Sequence, residues 1–358
     1  MPITLTNHSN KLGTQNMLPI EMLLKRHSLL LLVLVLIGLS ACKKDSGSGM
    51  EVEMVTVTTN EPANVRLLFR VDSGSEDPMS NLNINDVEIY ENNTLLTSLE
   101  SQAQIQDEPG EYVFSTMLLL DFSGSVLNDE DLDQLKDAVA SFIELVMPDT
   151  TEAGFRVKEM GIYWFNGEEE IHPLVDYTFY KDTLLTGVST IIDTMSTDFS
   201  TNLNGAVVGG VTNLVTKISD GESDLSQSNI VNMVLFTDGI DLAGRLTEEE
   251  ALAEIELLTN QYQLYSIGLG NDIDQDFLQK IGRNGYEFVE TSAGLNTGFI
   301  NMAQLVNHDY QSFYALEYCS PKRSGQHVIQ IRTYMDDKVG RFDADLVADG
   351  FAGGCVIE

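Results

Sequence analysis

The feature that most constrains the fold is a regular alternation of apolar strands and amphipathic helices between residues 114 and 306. The run 229–239 is almost continuously apolar, which is typical of a strand in a parallel sheet covered on both faces. The segment 129–147 carries apolar residues at helical spacing. These residues are Leu132, Leu135, Val139, Phe142, Ile143 and Val146. Because strand–helix units repeat, the sequence predicts a doubly wound, mostly parallel α/β sheet.

The segments on either side of this α/β region have strand patterns instead. The run 64–72 alternates apolar residues on one face, and three more strand-like runs follow Ser312. Neither set is large enough to bury a core alone, so we expect them to form one small all-β, Ig-like sandwich. Two separate small modules are the alternative. The predicted boundaries are 55–112 and 309–358 for the two sandwich parts and 113–308 for the α/β domain.

The N-terminus predicts export and lipid attachment. Two basic residues precede an apolar run, 29–39, that is too short for a comfortable membrane span and ends in small residues before Cys42. This resembles a bacterial lipoprotein signal, in which cleavage precedes a cysteine that takes the lipid. We therefore assign 1–41 to a signal peptide with an N-terminal extension and 42–54 to the lipidated cysteine and a flexible tether. An ordinary signal peptide or a single-span anchor is the alternative.

This signal implies a lipid-anchored protein of the bacterial cell envelope. We expect it at the outer membrane, and the signal leaves open whether it is exposed at the cell surface. With Cys42 assigned to the lipid, Cys319 and Cys355 remain, an even number in an exported protein. A Cys319–Cys355 disulfide is the expected pairing in an oxidising compartment. Two free buried thiols are the alternative.

The charge balance argues against nucleic acid as a partner. The 358 residues include 20 Lys and Arg against 55 Asp and Glu, a formal net charge of −35. Such a surface repels phosphate backbones and anionic membrane faces. It also attracts cations, although a solvated acidic surface alone explains the composition equally well.

Oxygen-bearing side chains occur at three predicted loops of the α/β region. Asp121, Ser123 and Ser125 alternate where an apolar strand ends, and Thr201 precedes a helix. Asp238 lies near the end of the run 229–239, directly after its apolar strand. Loops at the carboxyl ends of parallel strands converge on one crevice of an open sheet. We therefore expect these five side chains to meet, although they lie far apart in the sequence.

The residue types in this set select a particular class of ion. Five oxygen donors with no imidazole or thiolate suit a hard divalent cation, Mg²⁺ first, with Mn²⁺ or Ca²⁺ as alternatives. Three of the donors are neutral hydroxyls, so two aspartates do not fully neutralise the charge of the ion. The alternative is a folded domain whose motif no longer binds metal.

The three loops also carry a family resemblance. The stretches "DFSGS", "STNLNGA" and "FTDGID" resemble, in order, the loops of a von Willebrand factor A domain with a complete metal-ion-dependent adhesion site, and the resemblance covers residues 114–306. It implies that the three hydroxyls contact the ion directly or in alternate states and that the two aspartates hold it directly or through water. It also implies a protein ligand that supplies an acidic residue to complete the shell.

Other chemistry has few candidates. The acidic run 271–276 lacks the glycine and glutamate of a calcium loop, and acidic residues at a helix start explain it better. His172, His308 and His327 are widely spaced, and the chain has none of the common hydrolase or nucleotide-binding motifs. We therefore expect no enzyme but a cation-dependent binding module. A structural component of an envelope or secretion complex, with the domain as a scaffold, is the rival hypothesis.

Overall fold

The computed structural model of the protein describes residues 50–72, 82–106, 112–127, 129–152, 154–222, 228–335 and 337–357. The predicted signal peptide, Cys42 and the first part of the predicted tether lie outside the described residues. No helix in the described part of the chain is both long enough and apolar enough to span a membrane.

The described residues form fourteen strands and seven α-helices. The strands are β1 (Glu51–Asn60), β2 (Asn64–Asp72), β3 (Val87–Glu91), β4 (Thr94–Leu95), β5 (Gln104–Gln106), β6 (Tyr112–Asp121), β7 (Lys158–Phe165), β8 (His172–Thr178), β9 (Ser228–Thr237), β10 (Tyr262–Leu269), β11 (Gly285–Val289), β12 (Phe313–Cys319), β13 (Gln326–Met335) and β14 (Lys338–Val347). The helices are α1 (Ser98–Ser101), α2 (Asp129–Val146), α3 (Lys181–Ser189), α4 (Leu203–Glu222), α5 (Glu248–Glu256), α6 (Gln275–Ile281) and α7 (Leu295–Gln311).

A six-stranded sheet in the order β11-β10-β9-β6-β7-β8 forms the centre of the α/β region. Its first five strands pair in parallel, and β8 pairs antiparallel with β7 at the edge. One face packs against apolar residues of α2, α3 and α7, and the other against α4, α5 and α6. The predicted α/β fold with a mostly parallel, doubly wound sheet is thus confirmed.

The flanking segments form two antiparallel sheets, β1-β2-β12-β5 and β14-β13-β3-β4. Each sheet joins strands from both sides of the α/β region, with Leu67 opposite Leu316 in one and Ile89 opposite Ile331 in the other. The inner faces share one apolar core. Alternating apolar residues bury one face of β14-β13-β3-β4, whereas the second face of β1-β2-β12-β5 is also partly apolar, since Leu68 and Phe313 are buried in the same cluster as residues of the α/β region.

A disulfide joins Cys319, at the end of β12, to Cys355, with their Cα atoms 5.8 Å apart. The cross-link attaches the C-terminal segment to the sandwich core, where Cys319 is buried and Cys355 packs against the same cluster. Such a bond stabilises the fold mainly by restricting the unfolded chain.

Local details follow from capping and turn chemistry. Thr247 and Glu250 form a capping box at the start of α5, and Asp274 caps α6 by accepting the amide of Phe277. Asn92 and Asn93 take positive φ values of 49° and 63° in the turn between β3 and β4. The acidic run before α6 is therefore explained by helix capping.

Three local predictions differ from the structure. The sequence predicts a helix over about 181–195, but α3 ends at Ser189, because the amide of Thr190 bonds back to the carbonyl oxygen of Gly187. The N-terminal segment contains α1, whose four residues are too few to produce a helical period. The edge strand β8 was not predicted, since its half-buried residues lack a clean alternation.

Candidate metal centre

The first loop of the candidate site begins where β6 ends, between its two parallel neighbours β7 and β9. Asp121, the last residue of β6, is fully buried. Its Oδ1 accepts a hydrogen bond of 2.8 Å from the amide of Ser123, which turns the chain back over the strand end. Ser123 is also buried, Ser125 is exposed, and their Oγ atoms lie 3.4 Å apart. The alternation of these residues therefore gathers three oxygen-bearing side chains at one end of the sheet.

The third loop, after β9, meets the first loop through two hydrogen bonds. Ser125 Oγ donates to Oδ1 of Asp238 at 2.9 Å, across 113 positions of sequence. Thr237 Oγ1 donates to Oδ2 of Asp121 at 2.6 Å and accepts the amide of Gly239 at 3.2 Å. Thr237 was not among the predicted site residues, although its place beside Asp238 on the strand next to β6 is a signal that could have identified it.

The second loop, which carries the buried Thr201, contacts both of the others. The carbonyl oxygen of Thr201 accepts the amides of Leu242 and Ala243 at 2.9 and 3.0 Å. On the other side, the amide of Gly124 donates to the carbonyl oxygen of Phe199 at 3.1 Å. A Cβ atom placed on Gly239 would lie 3.8 Å from Thr201 Oγ1, so the third loop passes directly beside this hydroxyl. The structure thus brings all three predicted loops together.

A polar network behind the site holds the second loop in place. The backbone amide of Asn202 donates to the carbonyl oxygen of Asn166, and Nδ2 of Asn202 donates to the carbonyl oxygen of Glu168. Asn202 Oδ1 in turn accepts the amide of Gly205 in the first turn of α4. Because both the side chain and the backbone of Asn202 are hydrogen-bonded, the position of Thr201 is set by the loop that follows β7 as well as by the start of α4.

Ionisation of the two carboxylates of the site is electrostatically unfavourable when no cation is bound. Burial, with a smaller contribution from the neighbouring charge of Asp238, raises the pKa of Asp121 to about 7, although the hydrogen bonds from Thr237 and Ser123 oppose this shift. Burial also raises the pKa of Asp238, with Asp131 and Asp272 adding to the effect and the hydrogen bond from Ser125 opposing it. The site therefore concentrates negative charge where solvation is poor, and a cation offsets that cost.

The donor set fits a hard divalent cation only when hydroxyl groups are counted. Among the described residues, no group of three or more His, Cys, Asp or Glu side chains is placed to hold a metal ion. Two carboxylates and three hydroxyls supply oxygen atoms alone, the ligands that Mg²⁺, Mn²⁺ and Ca²⁺ prefer. Asp121, Ser123 and Thr201 are buried, whereas Ser125 is exposed and Asp238 is half-buried. The cluster is therefore buried at its base and open to solvent on one side.

Comparison with known proteins gives partial similarities at low identity. No protein-family model matches the chain. The bovine (Bos taurus) inter-alpha-trypsin inhibitor heavy chain H1 is 24% identical over 179 residues, which cover 44% of this chain and 20% of the relative. The chain thus spans about a fifth of the length of that curated relative.

Three solved structures are similar to this chain in part. Proximal thread matrix protein 1 from the mussel byssus, with a zinc-occupied MIDAS motif, has a TM-score of 0.43 at 17% identity and covers 55% of this chain and 48% of its own. The von Willebrand factor type A protein from Catenulispora acidiphila has a TM-score of 0.44 at 10% identity, covering 86% and 76%. The vWF domain of the type V pili tip protein Mfa5 from Porphyromonas gingivalis has a TM-score of 0.39 at 15% identity, covering 55% and 96%.

Proposed function

We propose that this protein is a lipid-anchored protein of the bacterial cell envelope that binds a protein partner through a divalent cation. The cation is held by five side chains: Asp121, Ser123, Ser125, Thr201 and Asp238. The observation that carries the proposal is the convergence of three distant loops, expressed most directly by the 2.9 Å hydrogen bond from Ser125 to Asp238. The fold brings the three loops to one edge of the sheet, and the presence of oxygen-bearing side chains on all three favours a ligand that needs them.

Each residue has a distinct part in this proposal. Asp121 and Asp238 supply the negative charge, and the hydroxyls of Ser123, Ser125 and Thr201 supply neutral oxygen donors. Mg²⁺ is the first candidate, with Mn²⁺ and Ca²⁺ as alternatives. The bound cation supplies an electrophilic centre for an oxygen ligand from outside, and a carboxylate of the partner is the natural group. The exposed side of the cluster, at Ser125, is where that group approaches.

The proposal assigns binding rather than catalysis to this site. Thr237 keeps Asp121 oriented, and the bonds of Leu242 and Ala243 to Thr201 keep the second loop against the third. These contacts position oxygen ligands, and no proton transfer or nucleophile is part of the mechanism. The anchor at Cys42 would hold the domain at the membrane, with the segment between Cys42 and β1 as the tether; residues 51–54, which the sequence assigns to the tether, belong to β1.

The first experiment measures cation binding by the mature chain, expressed without lipid, using calorimetric titration with Mg²⁺, Mn²⁺ and Ca²⁺. Wild-type protein is expected to bind one equivalent, and Asp121→Ala is expected to bind none while keeping its circular dichroism spectrum. Asp182→Ala removes an exposed carboxylate on α3 and is the matched control. Equal binding by the Asp121 variant and wild type overturns the proposal.

The second experiment tests the role of the cation in partner binding. Pull-down from envelope extract is performed with Mn²⁺, with EDTA, and with Thr201→Ala protein. The proposal predicts that EDTA and the Thr201 variant lose the same bound protein. If an envelope complex retains that protein in EDTA but falls apart with the Thr201 variant, the domain is a scaffold instead.

A further inference from the structure

Three large apolar side chains around the candidate metal centre are exposed to solvent. Phe199 and Leu242 are each 68% exposed, and Ile240 is 45% exposed. Phe199 lies two positions before Thr201, and the other two lie two and four positions after Asp238. We call these three residues the apolar rim. Exposed apolar groups gathered at one place on a soluble domain are typical of an interaction surface.

Phe199 is fixed directly over the first loop. A Cβ atom added to Gly124 would lie 2.9 Å from the Cβ of Phe199, so the two residues are in close contact. The hydrogen bond between their backbones, 3.1 Å long, holds the loops together at the same point. The ring therefore lies against the residue that separates Ser123 from Ser125, while most of its surface faces solvent.

The other side of the rim is attached to the second and third loops. The amide of Leu242 is bonded to the carbonyl oxygen of Thr201, which places its backbone beside that ligand candidate. Ile240 also lines an open cavity of about 460 Å³, together with Asn271 and Ile273. The remaining lining residues, Asp274, Gln275 and Asp276, are polar, so this recess borders the rim without adding an apolar surface to it.

The charges near the site restrict which partner can use this surface. The carboxylates of Asp131 and Asp272 are close enough to influence Asp238. An acidic partner is therefore repelled by the protein alone and attracted only when a divalent cation is bound. Apolar side chains beside the partner's carboxylate carry no such penalty, and the rim offers them a place to bury their surface.

We infer that the partner of this site is a protein segment with one Asp or Glu flanked by large apolar side chains, the carboxylate directed at the cation and the apolar groups packed on the rim. This inference rests on the proposed function. It adds to it a sequence preference, because the rim contributes affinity only when apolar residues adjoin the acidic one. Binding is expected to need both the cation and the rim.

The test uses a random-peptide library displayed on phage and the immobilised mature chain. Phage are bound in Mn²⁺ and eluted with EDTA. The expected result is enrichment of peptides that contain Asp or Glu beside Leu, Ile, Phe, Met or Val. Synthetic versions of an enriched peptide are expected to lose at least about tenfold in affinity when the apolar neighbours become Ser, and to lose binding when the acid becomes Asn or Gln.

Variants of the protein distinguish the contribution of the apolar rim to peptide binding from that of the metal centre. Phe199→Ser with Leu242→Ser, and Leu242→Ser alone, are expected to keep the calorimetric Mn²⁺ affinity of wild type and to weaken peptide binding at least about tenfold. Leu99→Ser with Leu257→Ser removes two exposed apolar side chains elsewhere and is the matched control. It is expected to bind peptide as wild type does.

Several outcomes overturn the inference. Enriched acidic peptides with no apolar neighbours, enrichment of basic peptides, or no enrichment on Mn²⁺-loaded protein each contradict it while leaving cation binding intact. A cation-dependent dimer in sedimentation velocity that the Phe199 and Leu242 changes abolish assigns the rim to a second copy of the chain instead. If wild-type protein binds no Mn²⁺ in the calorimetric titration, the proposed function fails, and this result is distinct from a failure of the inference about the rim.

Discussion

Asp121 and Asp309 are both buried carboxylates of the α/β region, but their surroundings differ in kind. Asp309, near the end of α7, accepts a 2.5 Å ion-paired hydrogen bond from Arg70 of β2 on one oxygen. Its other oxygen accepts the hydroxyl of Tyr265. Burial raises the pKa of Tyr265 well above its ordinary value, so this phenol remains a donor. The chain itself thus supplies both the positive charge and the hydrogen bonds that Asp309 needs.

Among the described residues, Asp121 has hydrogen bonds but no positively charged partner. Its oxygen atoms accept an amide and a hydroxyl, from Ser123 and Thr237, and the charge that acts on it is the carboxylate of Asp238. A buried charge without a counter-ion is costly, and its retention favours a role that needs it. A self-contained ion pair thus joins the sandwich to α7, whereas the cluster at the end of β6 lacks a positive charge and favours an external cation.

The largest expected effect comes from breaking the self-contained pair. Arg70→Met leaves Asp309 buried without its cation and is expected to lower the free energy of unfolding by about 3–5 kcal/mol in urea denaturation. Asp72→Asn removes the second, more exposed partner of Arg70 and is expected to cost less than about 1 kcal/mol. If the two variants lose equal stability, Asp309 is not the residue that Arg70 compensates.

The same type of substitution should have opposite signs at the two aspartates. In EDTA at pH 8, Asp121→Asn is expected to raise the free energy of unfolding by about 1–3 kcal/mol, because an ionised buried carboxylate is removed. Asp309→Asn is expected to lower it, since Arg70 then lacks its partner. The pKa of Asp121 is raised from 3.8 to about 7, so cation-free wild type should lose stability as pH rises through that window.

Urea denaturation of both variants at pH 5 and pH 8 measures this difference. The loss of stability between these pH values should be smaller in Asp121→Asn than in wild type. If Asp121→Asn destabilises the protein as Asp309→Asn does, the carboxylate of Asp121 is satisfied by the fold and the contrast between the two sites is wrong.

A smaller effect is expected from Thr237, which contacts Asp121 without being a proposed ligand. Thr237→Val removes the hydroxyl that donates to Asp121 and accepts the amide of Gly239. It should weaken Mn²⁺ binding about tenfold and lower the free energy of unfolding by about 1 kcal/mol. Thr212→Val, at an exposed position of α4, is the control. Unchanged Mn²⁺ affinity in the Thr237 variant would show that Asp121 is oriented without it.

The sequence predicts the fold and the loops of the site for a clear physical reason. Strand and helix periods are local, and the carboxyl ends of parallel strands share one edge, so alternation alone places Asp121 and Asp238 at neighbouring strand ends. The pair of Arg70 and Asp309 was not predicted, because it joins residues 239 positions apart across two parts of the fold. The apolar rim was also missed, since exposure of Phe199 or Leu242 depends on packing that no local pattern records.

The most direct test of the central claim is anomalous diffraction from crystals of the mature chain soaked in Mn²⁺. The account predicts one strong anomalous peak within coordinating distance of Ser123, Ser125 and Asp238, on the side of the cluster that faces solvent. Crystals of Asp121→Ala should lack this peak. A well-ordered wild-type structure with Mn²⁺ bound elsewhere, and no peak among these residues, would contradict the account.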